Sequence, residues 1–160
     1  HAMKSGDVES AIDSYRIDNP DWFEDPIRID LERVSWSANE LVEMAMILKS
    51  IDLASEDADR FIEAAQTVID KAHPSLVPWF ASLHLAGLET VRGNRSEALN
   101  LLRRAVMDEN MRYLWRFYLQ HWFVLEPLHG EPEFQELVAS LEIEMEQQRE
   151  RAYELLEAGP

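Results

Sequence analysis

Chemistry in this chain would have to be built from 5 histidines and 31 carboxylates, because there is no cysteine. His1, His73, His84, His121 and His129 are scattered. None stands in the His-Glu-x-x-His spacing that sets two ligands on one helix face. His84 shares its segment with the small residues Ala81 and Gly87, so a packed or half-exposed imidazole is the natural reading. Asp21, Glu24 and Asp25 are acidic neighbours, but they lack the alternating aspartates, central glycine and closing glutamate of a calcium loop. A solvated loop explains them. There is no glycine-rich phosphate loop, no Gly-x-Ser-x-Gly elbow, and no nucleophile with a base and an orienting partner. The expectation is no catalytic residue, no metal and no cofactor, and therefore no enzyme.

Surfaces remain. Trp115, Tyr118, Leu119 and Trp122 recur at helical spacing, with Phe117 and His121 beside them. Trp79, Phe80 and Leu83 open an earlier segment. Together Trp79, Phe80, Leu83, Trp115, Tyr118 and Trp122 form a candidate partner-binding groove, since exposed aromatics dominate binding hot spots. The competing reading is core, packed on the helix that carries Leu137 and Leu141. Further on, Phe134, Leu137, Val138, Leu141 and Met145 keep helical period, residues 146–151 are polar, and Tyr153, Leu155 and Leu156 turn apolar again. Those last three are a candidate dimer contact, as on a helix that leaves its core and meets a second surface.

The elements that position these residues are helices. Sustained strand alternation and hairpin dipeptides are missing, and apolar periodicity predicts helices near 7–17, 27–36, 38–52, 56–72, 77–92, 95–108, 111–124 and 132–157. Ser37 and Glu40 have capping-box spacing, and Asn94 with Glu97 repeats it. Ser55 precedes Glu56 and Asp57, acids suited to a first helical turn. Residues 19–25 read as a connecting loop. A chain of 160 residues with 46% hydrophobic content is sufficient for a single domain with its own core. Its formal net charge of −16 opposes nucleic-acid and anionic-lipid binding; solubility alone explains such a charge, and the alternative is a basic partner. No apolar run approaches a membrane span, so direct membrane insertion is not expected.

Internal repetition organises the helices. Gly6, Ala11 and Tyr15 share a spacing with Gly93, Ala98 and Leu102, and Ala105 follows three residues later. Ala58, Ile62 and Ala65 form a degenerate copy between them, with Leu53 at the glycine position and surplus length at 73–78. Small residues at these places let antiparallel helices approach, and glycine adopts the left-handed turn cheaply. Residues 78–110, through Leu85, Ala86, Gly93, Ala98, Leu102 and Ala105, resemble a tetratricopeptide repeat, although Glu89 and Asn110 replace the family's tyrosine and proline. The stretch from Tyr113-Leu114-Trp115-Arg116-Phe117-Tyr118 through Leu125-Glu126-Pro127-Leu128 to Met145-Glu146-Gln147-Gln148-Arg149 resembles the end of such regions in bacterial signalling proteins, among them ToxR-like winged-helix regulators and class III adenylate cyclases. His129 stands where that pattern has arginine.

The resemblance implies an all-α, short tetratricopeptide-like superhelix of antiparallel helix pairs, closed by a long C-terminal capping helix. It also implies a regulatory module with a protein or peptide partner. The half-repeat at the start, behind a cloning remnant at residues 1–3, implies a C-terminal fragment of a larger protein. A small-molecule effector sensor and a homodimerisation domain are the alternatives. An extracytoplasmic location is slightly favoured by the resemblance.

Overall fold

The computed structural model describes residues 8–24, 27–28, 34–52, 55–72, 78–108, 111 and 114–157. Gly6, Asp25, Leu53, residues 73–77, Asn110, Tyr113 and the centre of the expected 27–36 helix lie outside them. Among the described residues every regular element is helical and none is a strand, so the chain is all-α. The elements are α1 (Val8–Asp18), a 3-10 turn (Pro20–Phe23), α2 (Val34–Ile51), α3 (Glu56–Ala72), α4 (Pro78–Val91), α5 (Arg95–Arg103), π-helical turns at Arg104–Asp108 and Arg116–His121, a 3-10 segment (Phe123–Leu128) and α6 (Pro132–Glu157).

Consecutive helices fold back on each other. α2 packs along α3 and α4 along α5, while α4 also touches α2, α3 and the Phe123–Leu128 segment. α4 is therefore the central helix, and its sequence explains why. Trp79, Ala81, Leu83, Ala86, Leu88 and Val91 leave no polar face, and an all-round apolar helix has to be covered on every side. Two of its polar side chains are satisfied locally. Thr90 Oγ1 donates to the Ala86 carbonyl at 2.8 Å, and Arg104 donates to Ser82 Oγ through Nε (3.0 Å) and Nη2 (2.8 Å). One apolar cluster runs from Trp22 through α2, α3, α4 and α5 to Leu141 on α6.

Helix ends follow mostly predictable chemistry. Ser55 Oγ accepts the Ala58 amide at 3.2 Å, the cap that Glu56 and Asp57 promised, and such a cap contributes about 1 kcal/mol. Gly93 takes φ +80° between α4 and α5, a conformation that costs other residues free energy. Two cap expectations are corrected. α2 starts at Val34, so Ser37 lies inside the helix and not at its N-cap position. Asn94 occupies the N-cap of α5, yet its side chain donates to Glu89 Oε2 at 2.6 Å instead of capping. The loop at 19–25 carries its own 3-10 turn, which buries Trp22 edge-on against Phe61 at 6.5 Å.

The expected 111–124 helix is also corrected. Residues 116–121 form a π-helical turn, Trp122 is extended at φ −77°, ψ 104°, and Phe123–Leu128 tightens to 3-10 geometry around Pro127. Proline removes an amide donor, so an α-helix cannot run through this stretch intact. The break turns the Trp122 indole onto α4. A Cβ at Gly87 would lie 2.4 Å from Trp122 Cη2, so only glycine lets the ring sit this close.

Candidate functional site

The aromatic residues singled out from sequence go inward. Trp79, Leu83, Trp115, Tyr118 and Trp122 are buried and Phe80 is partly buried, which corrects the expectation of an open aromatic groove. The physical reason is mutual packing with the central helix. Tyr118 lies 6.3 Å from Trp79 and 6.0 Å from Trp122, and Trp122 lies 6.3 Å from His84 on α4. Phe117, at 59% exposed, is the aromatic of that stripe left outside.

Around Phe117 a different site assembles. A cleft of about 540 Å³ opens between α1, α2 and the Arg116–Phe123 stretch. Tyr15, Asn39, Glu43, Phe117, Trp122 and Phe123 lie in its lining. Glu43 is the hub. Its Oε1 accepts Trp122 Nε1 at 2.7 Å and Asn39 Nδ2 at 3.0 Å, and its Oε2 accepts the Tyr15 hydroxyl. Three donors from α1, α2 and the Trp122 break thus converge on one carboxylate. Charge-assisted hydrogen bonds of this kind are about twice as strong as neutral ones.

Burial and bonding oppose each other at Glu43. Burial raises its pKa, and the bonds from Tyr15 and Trp122 pull it back only in part. Burial likewise raises the Tyr15 pKa, helped by the Glu43 and Glu40 charges, so the phenol stays protonated and remains the donor. Asn39 Oδ1 is buried and has no hydrogen-bond partner.

His84 sits behind this site, packed rather than half-exposed, with the Phe80 ring edge-on at 4.1 Å. Neither ring nitrogen has a hydrogen-bond partner, and burial lowers its pKa to about 3. The unfolded chain binds a proton below pH 6.5 that the fold refuses until about pH 3, so stability falls as pH drops through that window. Glu43 works in the opposite sense: its acid form is favoured in the fold, a contribution lost as pH rises above the ordinary carboxyl value of 4.5. A His84→Leu variant isolates the first effect. Between pH 7 and pH 5 the wild-type chain should lose about 2 kcal/mol more than the variant in urea unfolding. Parallel pH profiles would mean that the native imidazole is already protonated or solvated.

The second surface is α6. Phe134, Leu137 and Leu141 are buried, and Met145 is partly buried at the edge of the core. Beyond it the helix continues to Glu157 with every side chain exposed. Tyr153 is 61%, Leu155 75% and Leu156 77% exposed, so the residues expected at a dimer contact stand open. Counting along α6 in helical register, Phe134, Val138, Leu141, Met145, Ala152, Leu155 and Leu156 share one face. The core-facing stripe therefore runs past the core, interrupted only by Gln148 and Arg149. At the root of the helix the stripe borders an open groove of about 330 Å³ lined by Leu119, His129, Phe134 and Val138.

Among the described residues no group of three or more histidines and carboxylates is placed to hold a metal, and no helix is long and apolar enough to cross a membrane. The fold defines an all-α chain with one acidic, aromatic-walled cleft and one projecting amphipathic helix. No family model, no curated protein and no solved structure matches this chain significantly.

Proposed function

We propose that this chain is a non-enzymatic interaction and sensory module, a tetratricopeptide-like region of a bacterial signalling protein. Its protein partner docks along α6. The carrying observation is the stripe that leaves the core: Met145, Ala152, Leu155 and Leu156 continue the face that Phe134 and Leu141 bury. A helix of 12 residues beyond the body is marginal in water by itself, so a partner that buries the stripe also stabilises the helix.

The occupant is a basic amphipathic helix. From Glu142 to Glu157 the helix carries six glutamates against two arginines, on a chain of net charge −16. A second copy would bring like charge to the contact, whereas lysines or arginines flanking an apolar stripe would meet opposite charge. The groove at Leu119, His129 and Val138 extends the path toward the body and gives a helix somewhere to anchor its first apolar residue.

Removing residues 146–160 tests the assignment of the stripe. All described side chains there are exposed, so the truncated chain should unfold within about 1 kcal/mol of the full one. Light scattering should report a monomer for both. A dimer that dissociates on truncation would give the stripe to self-association and overturn the basic-partner reading.

A further inference from the structure

We propose that the cleft floored by Glu43 binds a small primary ammonium or guanidinium ion carrying an apolar body. The argument starts from what the walls offer. Tyr15, Phe117, Trp122 and Phe123 supply ring faces and edges, and Asp18, Glu40 and Glu43 supply negative charge. No lysine or arginine occurs among the described lining residues, and His121 is the single basic side chain among them. Aromatic surface with carboxylates attracts cations, because ring faces are electron-rich and the carboxylates add full charge. An anion would be repelled by the three carboxylates.

One acceptor narrows the class from any cation to one that carries N–H donors. Glu43 Oε2 receives one donor, from Tyr15, and a carboxylate oxygen has room for a second. A quaternary ammonium could not use it. At about 540 Å³ the cleft lies within the usual range for small-molecule sites. Its geometry also links it to the rest of the fold: α1 holds Tyr15 against it, and the π-helical turn at Arg116–His121 presents Phe117 to it while the following residue, Trp122, reaches the central helix. Phe117 gains an apolar neighbour when the cleft fills, which accounts for an aromatic ring otherwise left in water.

The test uses the full chain and three probes of one shape: 2-phenylethylamine, 2-phenylethanol and 3-phenylpropionate. Calorimetric titration should show the amine binding at millimolar concentration or below, with the alcohol and the acid weaker by about tenfold or more, as expected when one charge-assisted hydrogen bond is lost. N,N,N-trimethyl-2-phenylethylammonium separates donor recognition from charge alone and should also bind more weakly than the amine. Glu43→Gln keeps the shape of the side chain and should weaken the amine by a similar factor. Asp18→Asn, at the exposed rim, should weaken it less and make the affinity less salt-dependent. Equal binding of amine and alcohol, equal binding of the quaternary ion, or no binding of the amine at millimolar concentration would each overturn the proposal. Thermal midpoints of both variants within a few degrees of the parent show that any lost affinity is not lost folding.

Discussion

Trp122→Ala should remove about 3–5 kcal/mol of stability, a large share of what a domain of this size possesses. The indole is buried on the central helix, its far ring edge lies over Gly87, and its Nε1–H is one of three donors to Glu43. Alanine leaves a cavity between α4 and the Arg116–Leu128 stretch, and it leaves the half-buried Glu43 with only Asn39 and Tyr15. The loss therefore combines missing apolar contact with a weaker hold on a carboxylate that burial already disfavours. Trp122→Phe separates the two. It keeps most of the ring but no N–H, and should cost about 1–3 kcal/mol, the range for leaving a buried acceptor short of a donor. Urea unfolding of both variants measures the difference. If Trp122→Phe loses nothing while Trp122→Ala loses the full amount, packing alone accounts for Trp122 and the Glu43 bond contributes nothing.

The second large effect changes sign with its background. In most helix interiors glycine to alanine stabilises by about 1 kcal/mol, because alanine loses less backbone freedom. At Gly87 the new Cβ would lie 2.4 Å from Trp122 Cη2 and 2.9 Å from Cζ3, and that ring cannot slide away while Nε1 is bonded to Glu43. Gly87→Ala should therefore destabilise by about 1–3 kcal/mol, the usual range for an overpacked core. Cη2 and Cζ3 are atoms that phenylalanine lacks. In a Trp122→Phe background the same substitution should cost nothing or stabilise by up to about 1 kcal/mol, so the two changes are non-additive by about 2 kcal/mol or more. Additive losses would place the indole somewhere other than over Gly87.

What the sequence disclosed, and what it hid, divides along periodicity. α6 was legible to the residue, Pro132 to Glu157, because a proline opens it and an apolar stripe marks its course. Its departure from the core was legible as well, since the polar run at 146–151 separates Tyr153, Leu155 and Leu156 from the core-facing stripe. The Trp115 to Trp122 stripe was legible as a face but not as a fate. Its spacing fits an α-helix, and a π-helical turn followed by an extended residue keeps the same side chains together while turning them onto α4. The signal that was available is Gly87, a glycine in the middle of an apolar helix, which marks a close approach.

Glu43 was missed for a different reason. The apolar residues Leu41, Met44, Ala45 and Leu48 define one face of α2, and Glu43 points away from it. Such a residue reads as solvated. Yet Val42 and Ile47 are fully buried on the flanks of Glu43, so the helix around it is covered rather than solvated. A carboxylate on a covered part of a helix has to be met by donors from elsewhere. Here they come from Tyr15 and Trp122, 28 and 79 residues away in sequence, a separation that periodicity within one helix cannot reveal.

The central claim is that the end of α6 is a docking face for a basic amphipathic helix. Fluorescence anisotropy with a labelled amphipathic peptide of lysine and leucine tests it most directly, against the intact chain and against a Leu155→Glu, Leu156→Glu variant. The account predicts saturable binding to the intact chain that weakens with salt and falls by about tenfold or more in the variant, as expected for losing two apolar contacts. Equal binding to both chains would reduce the interaction to surface charge and contradict it.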